Sequence, residues 1–209
     1  MRIGIIACDS FKEEINYLTE GDPDIIFKEY LQFGLHEHPD ELKSTVIDHV
    51  NALQGKVDAV FLGYGWCQSL KGITSQLAVP TVMIEADDCV CALLTPEGYA
   101  EERHKCAGTY YATPYFSKDF GLDRFYNKFC DQLGEELLNE LGFDWFMQKM
   151  FDGYSRCLYI NTGIEDRSTC EENAKKFASY FGWNYETRHG TLKMIEDALA
   201  KTKELASIQ

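Results

Sequence analysis

Apolar residues along this chain fall into short runs separated by stretches with helical spacing. Residues 2–7 are mostly apolar, with Ile3, Ile5 and Ile6, the pattern of a strand buried on both faces. The run stops at Cys8-Asp9-Ser10, and residues 11–18 take up a helical period with Asp9 or Ser10 as cap and Glu13 and Glu14 in the first turn. Asp22-Pro23-Asp24 breaks that helix, residues 25–31 read as a second strand, and His38-Pro39-Asp40-Glu41-Leu42 opens a helix with Val46, Ile47 and Val50 at core spacing, closed by Gly55. Residues 57–62 are another buried-strand run ending in Gly63-Tyr64-Gly65-Trp66-Cys67, after which the spacing predicts a helix of about ten residues reaching Leu77. Residues 80–84 form a fourth strand, with Pro80 where no ladder donor is lost. It ends in Glu85-Ala86-Asp87-Asp88-Cys89-Val90-Cys91.

Strand and helix in alternation predict a Rossmann-like α/β fold, a mainly parallel sheet with helices on both faces. Beyond residue 95 the pattern turns helical and aromatic. Residues 119–130 and 132–151 read as two amphipathic helices, so 119–151 is expected to be a helical insertion. Residues 158–163 resume the strand-then-loop pattern, Ser168-Thr169-Cys170-Glu171 resembles a capping box opening a helix to Phe181, residues 183–187 suit a last strand and 191–205 a terminal helix. The expectation is a single domain over residues 1–209 whose sheet continues past the insertion.

Composition narrows the function. Hydrophobic residues make up 45% and charged residues 26% of the 209, ordinary globular usage in a chain long enough to bury a full core. No apolar run reaches the roughly 18 to 20 residues that span a bilayer, and the first residues are too short and too polar for a signal peptide. A cytoplasmic location, away from membranes, is expected. The net charge of -14 argues against a nucleic-acid partner, which needs a basic surface. Without an export signal, the eight cysteines are expected as thiols, core residues or metal ligands rather than disulfides.

In open α/β sheets, ligands bind outside the carboxyl ends of the strands. Cys8, Cys67 and Cys89 all fall at that edge. Thiolates prefer zinc, copper(I) or iron-sulfur clusters, and three protein ligands with one open position is the arrangement of a catalytic metal. The competing reading is plain core packing, since cysteine is among the most buried residues and no Cys-x-x-Cys pair is present. Cys106, Cys130, Cys157 and Cys170 lie in helical or buried runs and read as core. Glu85, Asp87 and Asp88 beside Cys89 suit a ligand, an orienting group or a general base, and equally a solvated loop or helix cap. Gly63, Tyr64 and Gly65 would let backbone approach a ligand. The pair lacks the third glycine of a dinucleotide fingerprint and does not follow the first strand, which excludes nicotinamide and flavin. His36 and His38 are explained by the helix entry, and Tyr110, Tyr111, Tyr115 and Arg188-His189-Gly190 are polar-aromatic clusters with packing as the simpler role. Hydrolase elbows, Walker loops and zinc-protease helices are missing from the sequence.

The ordered series Ile5-Ile6-Ala7-Cys8, Leu35-His36-Glu37-His38-Pro39-Asp40-Glu41-Leu42, Gly63-Tyr64-Gly65-Trp66-Cys67, Asp88-Cys89, Gly108-Thr109-Tyr110-Tyr111 and Glu186-Thr187-Arg188-His189-Gly190 resembles the family catalogued as domain of unknown function 1638. The resemblance runs over nearly the whole chain. It implies Cys8, Cys67 and Cys89 as the family's cysteine positions, and a setting in methanogens and anaerobic bacteria beside corrinoid-dependent methyltransferases. The family often has His where this chain has Asp88, and Cys-Gly where it has Trp66-Cys67-Gln68, so Asp88 or Cys91 becomes the candidate fourth ligand. The leading expectation is a metal-thiolate protein of one-carbon metabolism, with zinc activating a small-molecule thiol or another methyl acceptor for transfer to or from a corrinoid protein. One alternative is a [4Fe-4S] desulfidase or redox protein. Another is an accessory protein that binds a methyltransferase or corrinoid subunit through the aromatic insertion.

Overall fold

The computed structural model describes residues 1–67, 69–119, 121–164 and 168–208. In chain order they form β1 (Ile3–Cys8), α1 (Lys12–Leu18), β2 (Ile25–Leu31), α2 (Pro39–Asn51), β3 (Ala59–Gly63), β4 (Thr81–Met83), α3 (Cys89–Lys105), β5 (Thr109–Ala112), α4 (Leu122–Leu133), α5 (Glu135–Leu141), α6 (Phe143–Met150), β6 (Arg156–Asn161), α7 (Ser168–Phe181), β7 (Asn184–His189) and α8 (Lys193–Ser207). The fold class is α/β, as the alternating pattern predicts. The chain divides into two compact units, Met1–Tyr99 with Gly190–Gln209, and Ala100–His189.

The first unit holds a four-stranded parallel sheet in the order β2-β1-β3-β4. Every residue of β1 and β3 is buried, whereas β2 is half exposed at the edge. A fully buried isoleucine of β1 contributes about 1.5–3 kcal/mol, which is why its near-continuous apolar run is the clearest strand in the sequence. α2 turns Leu42, Val46 and Val50 inward at helical spacing. From α8, Ala206 and Leu205 pack against Ile3 of β1 and Ala59 of β3. Strand order decides where a site can form. The chain passes from β1 to β2 on one side, then crosses to β3 on the other, so the switch point lies at the carboxyl ends of β1 and β3.

The second unit has its own parallel sheet, β5-β6-β7. α7 packs on it through Cys170, Ala174 and Ala178 against Ala112, Cys157 and Tyr159. α4, α5 and α6 gather around Phe129, Leu138 and Met147 and, with Phe125, Phe151 and Phe181, make an aromatic cluster. At the start of β6, the middle strand, an ion network centres on buried Arg156 and Glu102. Arg156 Nη1 donates to Glu102 Oε2 at 2.8 Å, Lys105 reaches Glu102 Oε1 at 2.8 Å, and Arg188 pairs with both Glu101 and Glu102. Burial alone would raise the Glu102 carboxyl, but these cations outweigh it and hold the group down at about 2.

Several expectations are corrected. One continuous sheet was expected; there are two, because β5 pairs with β6 and not with β4. An alternating pattern identifies strands but not their partners. The helix expected to reach Leu77 is only a 3-10 turn at Ile73–Gln76, preceded by Gly72 in the left-handed region. Among its described residues the insertion holds three helices rather than two, divided at Gly134 and Gly142, both of positive φ. Among the described residues no helix is long and apolar enough to cross a membrane.

Candidate functional site

The site is built from three loops at the switch point. Ala7 of β1 stands in register with Gly63 of β3. A Cβ on Gly63 would fall 2.5 Å from Ala7 Cβ and 2.8 Å from Ile15 Cδ1, so only glycine allows the two strands to end this close. Two residues on, a Cβ at Gly65 would meet the Ala86 carbonyl oxygen at 2.9 Å and Asp88 Cα at 3.1 Å. Backbone bonds lace these loops together: the Trp66 amide donates to Ala86 O at 2.7 Å and the Cys67 amide to Asp87 O at 3.0 Å. The two glycines expected to admit a ligand are therefore explained by the protein's own packing. Cys67 itself sits at φ 40, a conformation that costs a side-chain-bearing residue on the order of 1–3 kcal/mol and persists where neighbouring bonds hold it.

Asp88 opens α3. Its Oδ1 accepts the Cys91 amide at 2.8 Å, its carbonyl accepts the Ala92 amide at 3.0 Å, and its Oδ2 accepts the Tyr99 hydroxyl at 3.2 Å. This is the geometry of an N-cap. Cys89, the first residue of α3, is thereby placed beside the Cys67 loop. The helix is interrupted after Leu94, because Thr95 is non-helical at φ 63, ψ 159 and Pro96 follows, and it resumes to Lys105.

Charge ties the three sulfurs together. Burial pushes the Cys8 thiol up to about 11, although the hydroxyl and amide of Ser10 favour its thiolate. Burial, then the negative charges of Cys8 and Asp88, push Cys67 up to about 12. Cys89 is raised well above the thiol range, first by burial and then by Asp88, Cys8 and Cys67. Tyr64, also raised by burial, feels Cys8, Cys67 and Asp9. Cys8, Cys67, Cys89 and Tyr64 thus share one electrostatic neighbourhood. Among the described residues no group of three or more His, Cys, Asp or Glu is placed to hold a metal ion. The two findings agree, since charges act over several ångströms whereas a zinc-sulfur bond needs about 2.3 Å.

The remaining candidates separate. Cys91 is buried in α3, and its leading charged neighbours are Asp88, Asp87 and Glu97 rather than the three thiols. Glu85 is exposed. His36 packs edge-on against Phe33 at 3.9 Å and His38 is exposed. Tyr110 stacks on Phe177 at 4.7 Å as part of the core, and Arg188 is engaged by Glu101 and Glu102. Cys157 and Cys170 are buried, as read from the sequence, whereas Cys106 and Cys130 are partly exposed. Sequence reading missed Ser10 as a neighbour of Cys8 and Tyr99 as a partner of Asp88. Neither carries a local signal, because both contacts are made by folding. Gln68, part of the motif around Cys67, lies outside the described residues.

Residues 30–199 match the family model described as "Protein of unknown function (DUF1638)". The chain belongs to this family. The matched span holds Cys67, Asp88 and Cys89 and begins beyond Cys8. None of the curated proteins and none of the solved structures matches the chain.

Proposed function

We propose that Cys8, Cys67 and Cys89 form a thiolate site for a soft metal, zinc or the irons of a [4Fe-4S] cluster, at which a small thiol takes part in corrinoid-linked methyl transfer. The observation that supports this reading is the shared electrostatic neighbourhood of three thiols, buried Cys8 and partly buried Cys67 and Cys89, from three separate loops at the switch point. Each is disfavoured as an anion, and the leading charges that act on each are negative. A soft cation is the partner that converts such thiols into thiolates. Bound there, the metal would lower the pKa of a substrate thiol.

The chain's own residues set the stage. Asp88 fixes the start of α3 and hence Cys89; the amides of Trp66 and Cys67 clamp their loop to 86–87. Ser10 favours the Cys8 thiolate. A metal held by Cys8, Cys67 and Cys89 would supply a substrate thiolate as methyl acceptor, with the thiol proton passing to solvent. A second reading, an accessory protein docking a methyltransferase or corrinoid subunit, draws on the exposed Leu133, Leu137, Leu141, Trp145 and Met150 of the insertion.

The test is anaerobic purification of the wild type and the Cys8→Ser, Cys67→Ser and Cys89→Ser variants, with metal analysis and an absorption spectrum. Stoichiometric metal in the wild type and its loss in each variant is expected, because losing a thiolate weakens such a site by orders of magnitude. Iron with visible absorption selects the cluster, and colourless zinc the mononuclear site. Full metal retention in all three variants would sink the proposal. Consumption of methylcobalamin by the metal-loaded protein with a small thiol then separates catalysis from the accessory role.

A further inference from the structure

Among the described residues, every large apolar side chain that the second unit exposes lies between Leu133 and Tyr154. Single exposed leucines scattered over a surface need no explanation, but a group confined to one segment does. α5 carries the centre of it. Leu138 turns into the cluster with Phe129 and Met147, whereas Leu137 and Leu141, one turn apart on the same side of the helix, are 42% and 41% exposed. On the adjoining helices, Leu133 ends α4 just before Gly134, and Trp145 of α6 is 52% exposed.

Charge decides what can cover this face. From Phe129 to Gln148 the chain has five carboxylates, Asp131, Glu135, Glu136, Glu140 and Asp144, and no lysine or arginine. All five are exposed. Asp144 accepts the Tyr180 hydroxyl, and among the described residues none of the other four stands in an ion pair. Glu136 and Glu140 repeat the spacing of Leu137 and Leu141 one position earlier, so an acidic stripe runs beside the apolar one along α5. A second copy of the chain, meeting this patch with the same patch, would set carboxylate against carboxylate, and an anionic lipid surface would be repelled in the same way. We propose that this face docks a basic amphipathic helix of a partner protein, whose apolar side covers Leu137 and Leu141 and whose lysines or arginines meet the flanking carboxylates. This rests on the docking reading given above and names the chemistry of the partner's surface; it does not involve the cysteines.

The test titrates the full chain into a fluorescently labelled peptide of leucine and lysine whose leucines recur at helical spacing, with binding read by anisotropy. A scrambled peptide of the same composition measures plain attraction to an acidic protein. The patterned peptide should bind at least about 10-fold more tightly than the scrambled one. Leu137→Ser with Leu141→Ser should weaken it by roughly 10- to 100-fold, and Glu135→Gln with Glu136→Gln and Glu140→Gln should weaken it most at low salt and flatten its salt dependence. Equal binding of the two peptides, or unchanged binding by the leucine variant, overturns the inference. So does a wild type that sediments as a dimer and becomes monomeric on losing the two leucines, which gives the face to a second copy, or one that binds phosphatidylcholine vesicles through them. Should the leucine variant melt at a lower temperature, the glutamine variant decides, and unchanged binding by it overturns the inference. The assay contains neither metal nor methyl donor, so its failure is distinct from failure of the metal-thiolate reading; a patterned peptide that fails to bind while methylcobalamin is not consumed removes both.

Discussion

Asp88 Oδ1 accepts the backbone amide of Cys91 at 2.8 Å, so the carboxylate whose charge acts on both Cys67 and Cys89 is engaged as a helix cap. Asn caps helices nearly as well as Asp, and Ala does not. Asp88→Asn is therefore expected to keep most of the wild-type stability and metal, while Asp88→Ala loses about 1 kcal/mol by urea unfolding and roughly 10- to 100-fold in metal affinity by chelator competition. Loss of metal in Asp88→Asn as complete as in the cysteine variants would instead make Asp88 a ligand.

Gly65 is tested by one added methyl group. With the Ala86 carbonyl 2.9 Å from the new Cβ, Gly65→Ala must push the loop of Cys67 away from that of Cys89. The expected cost is about 1–3 kcal/mol, with a larger proportional loss of bound metal, read from urea unfolding and metal content on the same samples.

The thiols differ in reactivity with a sign set by their surroundings. Cys106 is lowered, first by a hydrogen bond with Ser155 and then by one with Thr109, whereas Cys8 and Cys67 are raised to about 11 and about 12 and Cys89 further. In metal-free reduced protein near pH 8, iodoacetamide should label Cys106 first and spare the cluster until the fold is lost, as peptide mapping will show. Metal uptake, which must expel the cluster's protons, should strengthen as pH rises.

Acid should weaken the second unit at Glu102. Its folded pKa of about 2 lies below the ordinary 4.5, so its stabilising contribution is full above pH 4.5 and drains away as pH falls toward 2. Unfolding midpoints followed over that interval should drop in the wild type and stay flatter in Glu102→Gln. At neutral pH that variant should be less stable by up to about 3–5 kcal/mol, since it leaves buried Arg156 with only the half-exposed Glu186 as a carboxylate partner.

How legible was this in the sequence? Where one period governs a segment, the reading is close. Ile25–Leu31 and Ser168–Phe181 are found at their bounds, and the helix opening at Pro39 ends near its predicted Gly55. It fails where the period is broken: α3 contains Thr95, Pro96 and Gly98 and shows no steady apolar stripe, and β5 has only four residues. Cys8, Cys67 and Cys89 were readable as strand-end residues because strand ends are local. The lacing of two loops around Gly65 was not, because it depends on what folding brings alongside.

The way the chain leaves the first unit at Tyr99 and returns at Gly190 sets an order of events during synthesis. By the time Tyr99 has been made, the four strands and the three cysteines exist, but Leu205 and Ala206, which cover Ile3 and Ala59, do not. At ordinary elongation rates the intervening Ala100–His189 takes on the order of ten seconds to emerge. Through that interval the nascent sheet carries an uncovered apolar patch at the amino ends of β1 and β3, so a ribosome-bound intermediate should recruit a chaperone.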